Sequence, residues 1–232
     1  MSAYQFYQPP PGTLQILYQD KDLLVVNKPS GLLTNPGRAL ELSDSLLSRV
    51  QREFPTALLV HRLDLGTSGV VVFALRRKAE RELKRQFAER LVTKRYLAVV
   101  AGVMSAEPGE INLPLSADPE QAPKQRVDAA GKPAQTFYQR IAVRQNCSLV
   151  ELRPVTGRSH QLRVHLAELG HPILGDNFYA SPEQAAAAPR LLLHAAELRL
   201  QQPYSQQPLR FSADTDFVSA SGNWFDATPE QV

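Results

Sequence analysis

The run Val70-Val71-Val72-Phe73-Ala74-Leu75 constrains the fold more than any other stretch. It is continuous, apolar and rich in β-branched residues, bounded by Gly69 and Arg76, and so reads as a strand in the core. Directly before it stands His61-Arg62-Leu63-Asp64-Leu65-Gly66-Thr67-Ser68-Gly69. An acid and two bases therefore sit on a turn between the apolar run Ala57 to Val60 and a buried strand. Gly66 and Gly69 permit backbone angles closed to other residues. Polar groups carried on a loop at the end of a core strand are well placed for chemistry. The plainer alternative is a surface loop in which Asp64 caps a turn.

The remaining elements follow from periodicity and turn chemistry. Leu14 to Asp20 and Leu23 to Lys28 read as two strands joined at Asp20-Lys21-Asp22, and Lys28-Pro29-Ser30-Gly31 breaks the second. Ser43 reads as the N-cap of a helix whose buried face is Leu46, Leu47, Val50 and Phe54, ended by Pro55. Tyr96 to Val100 reads as a strand, and Ile111 to Leu115 as an edge strand interrupted by Pro114. Residues 119–133 read as a polar loop. Thr136 to Val143 and Cys147 to Arg153 form a hairpin around Arg144-Gln145-Asn146. Leu162, Leu166 and Leu169 give a helix stripe closed by Gly170. Ser181 to Arg190 reads as a short helix or a loop, and Leu191 to Leu200 with Leu209 to Phe211 as a last hairpin. Many strands on short connections and few helices point to an α+β fold, a mixed and largely antiparallel sheet with flanking helices. With 232 residues and 43% apolar content, we expect one domain over 14–225. A flexible arm over 1–13 and a frayed tail over 226–232 complete the chain.

Charge narrows the function classes. The chain carries a net +3, but residues 76–95 hold nine basic against three acidic residues, a net +6, which leaves the rest at −3. Ala79, Leu83 and Phe87 mark the buried face of an amphipathic helix in this segment. Such a helix can be a solvated face laced with Glu–Lys and Glu–Arg pairs. Its excess charge also suits a polyanion. A second cluster, Arg158, His160 and Arg163, falls in the first turns of the helix that carries Leu162, Leu166 and Leu169, where N–H groups and arginines together suit an anion. That anion could be a phosphate or a carboxylate such as Asp64.

Other chemistries fit poorly. The single cysteine, Cys147, excludes an internal disulfide and a zinc–thiolate site. His160 and His165 stand about 140° apart on a helix, the wrong spacing for a helical zinc pair. Gly66-Thr67-Ser68-Gly69-Val70 lacks the second glycine of a nucleophile elbow. No phosphate-binding glycine loop of nucleotide type occurs. No apolar run reaches membrane-spanning length and no signal peptide pattern opens the chain, so a cytoplasmic protein is expected.

The motifs taken together resemble the RluA family of RNA pseudouridine synthases. His61-Arg62-Leu63-Asp64 with Thr67-Ser68-Gly69 matches its signature, and Asn27-Lys28-Pro29-Ser30-Gly31-Leu32 its first motif. Lys94-Arg95-Tyr96 matches its tyrosine motif, and Gly157 to His165 its arginine motif. Gly170-His171-Pro172-Ile173-Leu174-Gly175-Asp176 and Leu191 to Ala195 extend the likeness, which covers residues 14–212. The resemblance implies the pseudouridine synthase fold without a separate N-terminal RNA-binding domain. It implies an isomerase that needs no cofactor and no metal. The RNA would be 23S ribosomal RNA, tRNA anticodon loops or both, with no membrane and no obligate protein partner, so a monomer.

The same resemblance gives residues their roles. Asp64 is the essential carboxylate, attacking C1′ of the sugar or removing the C2′ proton. Tyr96 is the active-site aromatic, and Arg163 the cation that keeps Asp64 ionised. Arg62 takes the place of the flipped base. His61, Lys84, Arg85, Lys94, Arg95 and Arg158 are candidate RNA contacts, with His61 more suited to ordering the loop. Competing readings are a non-catalytic RNA-binding protein, in which Asp64 is only an N-cap, and a nucleosidase acting on small substrates.

Overall fold

The structure is a computed structural model that describes residues 7–218; the expected tail over 226–232 lies outside them. The chain divides into two compact units. Of the described residues, one unit takes 7–94 and Ala195–Ala213; the other takes Arg95–His194 and 214–218. Strands β5 (Thr93–Ala101) and β11 (Leu193–Gln201) each carry the chain from one unit to the other.

The first unit holds β1 (Gln15–Gln19), β2 (Leu23–Lys28), α1 (Leu46–Glu53), β3 (Leu58–Leu59), β4 (Ser68–Ala74), α2 (Arg77–Ala88) and β12 (Pro208–Ser212). Its strand order is β1-β2-β4-β11, with β3 also on β4 and β12 on β11. The β2–β4 pairing is antiparallel and runs from Leu23 opposite Ala74 to Lys28 opposite Gly69. Every residue of β4 is buried, as its apolar run predicts. One face of these strands packs against α2 through Ala79 and Leu83, both fully buried. Burial of such side chains, about 1.5–3 kcal/mol for a leucine and less for an alanine, is what holds a short helix on a sheet.

Helix α1 begins two residues later than the sequence suggests. Its N-cap is Ser45, not Ser43, because Ser45 and Ser48 form a reciprocal capping box. Residues Leu40–Leu42 make a separate turn of 3-10 helix before it.

The second unit holds β6 (Gly109–Asn112), β7 (Leu115–Ala117), β8 (Gln125–Val127), β9 (Gln135–Arg144), β10 (Cys147–Pro154), α3 (Gln161–Glu168) and α4 (Pro182–Ala186). Its strand order is β5-β10-β9-β6, antiparallel throughout. The β9–β10 hairpin turns at Gln145 and Asn146, which take φ of 45° and 58°. Two positive-φ residues are what a tight hairpin turn requires. Pro114 separates β6 from β7, so the expected strand over 111–115 is two elements. The polar loop expected over 119–133 contains β8, which pairs with β7 as a small ribbon. No helix among the described residues is long and apolar enough to cross a membrane.

Candidate active site

In the first unit the loop carrying Asp64 is gripped from one side by the loop Lys28–Thr34. The Lys28 side chain is fully buried, and its Nζ donates to the carbonyls of Pro29, Leu32 and Leu65 at 3.0, 2.6 and 3.1 Å. A buried ammonium survives only when its protons are so satisfied. The Gly31 N–H also donates to Leu65 O at 2.9 Å. Ser30 Oγ donates to Gly66 O at 2.7 Å. Thr34 Oγ1 donates to Leu63 O at 2.6 Å and accepts the Leu63 N–H at 3.2 Å. The peptides on either side of Asp64 are therefore anchored, and the Asp64 side chain is half-buried.

The exit from this loop depends on Gly69 rather than Gly66. Gly69 takes φ of +114°, and a Cβ there would stand 2.2 Å from the Ala195 carbonyl oxygen. Gly66 is not among the residues with positive φ, so its expected unusual angle is not used.

His61 holds the same loop against β4. Its Nε2 accepts the Val72 N–H at 3.0 Å, and its ring stacks on Phe87 with centroids 4.7 Å apart. Burial first, then the Lys94 charge, pulls its pKa down to about 3. The imidazole is thus neutral with Nε2 unprotonated, which suits ordering the loop. Arg62 is exposed. Lys94 is half-buried, and burial lowers its ammonium to about 8.

In the second unit Arg163 is almost completely buried on α3. Its Nε and Nη2 donate to Asp176 Oδ2 and Oδ1 at 2.7 and 2.6 Å, a fork-to-fork pair. Asp176 also accepts the N–H groups of Phe178 and Tyr179 at 2.9 and 3.3 Å. The guanidinium carbon lies 4.9 Å from the Phe178 ring centroid and 5.1 Å from that of Tyr179. His160 begins the helix in the left-handed region, with φ of 54°, and its Nδ1 shares a proton with Tyr179 Oη at 2.6 Å.

Helix α3 does not have the single apolar stripe its leucines suggest. Gln161 through Leu166 are all buried, whereas Leu169 is exposed. The polar members are satisfied by the sheet: Gln161 donates to Gln135 O and Thr136 Oγ1, and His165 contacts Thr136 Oγ1 and Leu113 O. Tyr96 shares that sheet face. It pairs with Leu152, Leu152 pairs with Tyr138, and Tyr138 is two residues from Thr136 on β9. The half-buried Tyr96 and the helix bearing Arg163 thus occupy one face of this sheet.

The remaining candidate RNA contacts are scattered. Lys84 pairs with Glu80 at 2.7 Å, and Arg85 pairs with Glu82 at 2.7 Å and with Glu89. Arg95 pairs with Glu151 at 3.5 Å. Arg158 is exposed and donates to Pro133 O at 3.0 Å, so of the cluster expected at the start of α3 only Arg158 faces solvent.

A family model described as RNA pseudouridylate synthase matches residues 22–168, the segment that contains both the Asp64 loop and the buried Arg163. The chain belongs to this family. The dual-specificity RNA pseudouridine synthase RluA of Escherichia coli K12 is 55% identical over 214 residues, covering 91% of this chain and 98% of that one. The Haemophilus influenzae protein of the same name is 48% identical over 219 residues, covering 94% and 100%. Among solved structures, human RNA pseudouridylate synthase domain containing 1 matches with a TM-score of 0.76 at 30% identity, covering 93% of this chain and 89% of that chain. Human RNA pseudouridylate synthase domain containing 4 matches at 0.71 and 28%, covering 86% and 88%. This pseudouridylate synthase is therefore an isomerase of uridine in RNA, with the α+β fold of that family.

Two residues of the synthase were not singled out by their sequence pattern. Lys28 reads as a strand breaker, and Asp176 as part of a turn. Both lie inside motifs of the family, and burial of each charge would have marked them.

Proposed function

We propose that the chain converts specific uridines to pseudouridine in structured RNA, 23S ribosomal RNA and tRNA anticodon loops, with Asp64 as the catalytic carboxylate. The observation that carries the reading is the anchoring of Leu63, Leu65 and Gly66 around Asp64 by Thr34, Lys28, Gly31 and Ser30. Effort of that kind is spent where a side chain must be aimed. Asp64 then attacks C1′ or removes the C2′ proton to give a glycal. The N1–C1′ bond breaks and the base turns; C5 then bonds to C1′ as Asp64 leaves C1′ or the C2′ proton is returned, and the proton lost from C5 is balanced by one gained at N1. Arg163, fixed by Asp176, is proposed as the cation that favours the Asp64 carboxylate. Tyr96 is proposed to stack on the target base and to assist the final loss of the C5 proton.

A stacked uridine must first be extruded, at a cost of a few kcal/mol. The exposed Arg62 guanidinium is proposed to stack in the vacated place. The exposed cations of α2, with Lys94, Arg95 and Arg158, are proposed to meet phosphates. The enzyme is proposed to work as a cytoplasmic monomer.

One assay tests the two roles in the Asp64 loop: tritium release from 5-tritiated uridine in bulk RNA prepared from cells lacking the gene. Asp64→Asn is expected to abolish release, with RNA binding kept within a few fold. Arg62→Ala is expected to slow release more on folded RNA than on an unpaired target. Full release by Asp64→Asn would remove the mechanism, and equal losses by Arg62→Ala on both RNAs would remove the wedge.

A further inference from the structure

Residues 7–12 are bound to the loop that grips Asp64. Tyr7 Oη accepts the Leu33 N–H at 3.1 Å and donates to Asp44 O at 2.9 Å. Arg49 on α1 donates to Pro10 O at 2.8 Å and Gly12 O at 3.4 Å. The same guanidinium holds the Asp44 carboxylate through Nε and Nη2 at 2.9 and 2.8 Å. A Cβ on Gly31 would come within 3.9 Å of Pro10 Cδ, so the arm passes beside the turn of the loop. On the other side, the first amides of α1 satisfy their missing partners on this loop. Leu46 N–H donates to Leu33 O at 2.8 Å, and Leu47 N–H to Thr34 O at 3.0 Å.

The Leu33 peptide is thus held at its N–H by the arm and at its C=O by α1. The next residue, Thr34, makes the two-way bond with Leu63, and Leu63 precedes Asp64. Burial raises the Tyr7 pKa above its usual value, so the phenol keeps the proton it donates throughout the neutral range.

We infer that residues 7–12 form a clasp on the Lys28–Thr34 loop, and that Tyr7 is a positioning residue for Asp64. The inference rests on the catalytic role proposed for Asp64. Removal of the Tyr7 hydroxyl strands the Leu33 N–H and frees the loop. A small displacement of a reacting group is costly in rate, whereas substrate binding does not require it.

The test is Tyr7→Phe in the full chain, read three ways: steady-state tritium release from 5-tritiated bulk RNA, thermal unfolding, and amide hydrogen exchange. We expect kcat to fall about tenfold with KM within twofold. Exchange should quicken at Leu33 and Leu63 while the amides of α2 stay as in the parent. An unchanged kcat overturns the positioning role. So does a loss of kcat that tracks a lowered unfolding temperature with exchange raised everywhere. Unchanged exchange at Leu33 and Leu63 overturns the clasp itself. Activity of Asp64→Asn would instead overturn the reading beneath it.

Discussion

His61 shows how a residue that looks catalytic can serve geometry instead. A histidine three positions before the proposed catalytic acid invites a proton-transfer role, yet its Nε2 is occupied by the Val72 N–H and its ring by Phe87. Its pKa of about 3 in the folded chain, against 6.5 when exposed, has a definite consequence for stability. Between those values the unfolded chain binds a proton that the folded chain refuses. The His61 contribution is therefore complete above about pH 6.5 and lost progressively as the pH falls toward 3. Urea unfolding should show a loss of about 2 kcal/mol from this residue between pH 7 and pH 5. His61→Gln keeps an acceptor without a titrating proton and should flatten that part of the profile; an unaltered profile would exclude the assignment. The sequence made Asp64 visible because a carboxylate stood just before Gly66 and Gly69 at the mouth of an apolar strand. It hid Lys28 and Asp176 because a buried charge leaves no periodic trace. Only the structure shows one wrapped in carbonyls and the other forked onto Arg163.

At the scale of elements, legibility follows hydrophobic period. Strand β4 and helix α2 were readable because their apolar spacing is strong, and α2 spans Arg77–Ala88 within the basic segment 76–95. Strands β7 and β8 are three residues each, too short for alternation to register, so β8 passed as loop. Helix α3 misled for the opposite reason: polar residues that bond to the sheet are buried beside its leucines, which erases the stripe. Helix α2 also bears on RNA binding. Lys84 and Arg85 are exposed but paired with Glu80, Glu82 and Glu89. Solvent screening leaves exposed pairs of that kind weak, so a phosphate can displace the glutamates. If both cations meet phosphates, the double variant Lys84→Ala, Arg85→Ala should flatten the salt dependence of RNA binding. The slope should fall by up to about 0.7–0.9 per lost contact. The glutamates left behind repel phosphate and lower affinity at all salt concentrations. A slope equal to the parent's would route the RNA away from this helix.

For the whole molecule, the distribution of charge matters more than its sum. A net of +3 over 232 residues would not hold a polyanion, but +6 confined to residues 76–95 can guide one toward the loop that precedes β4. Phosphate contacts position an RNA without reading its sequence, so that basic segment cannot by itself choose a uridine. On the proposed roles, the choice would fall to the few groups that meet the target base, with Asp64 the proposed carboxylate and Arg62 the proposed replacement for the base. Such a site asks for a loop whose bases splay outward, a shape shared by an anticodon loop and by loops of ribosomal RNA. The proposed dual role therefore asks no more than one set of residues acting on one loop shape. Mapping of pseudouridine in total RNA from cells lacking the gene should reveal missing sites in 23S ribosomal RNA and in tRNA anticodon loops together. Re-expression of the parent chain should restore both classes, and Asp64→Asn neither. Loss confined to one class would mean that contacts beyond the shared loop shape select the substrate, and would end the dual assignment.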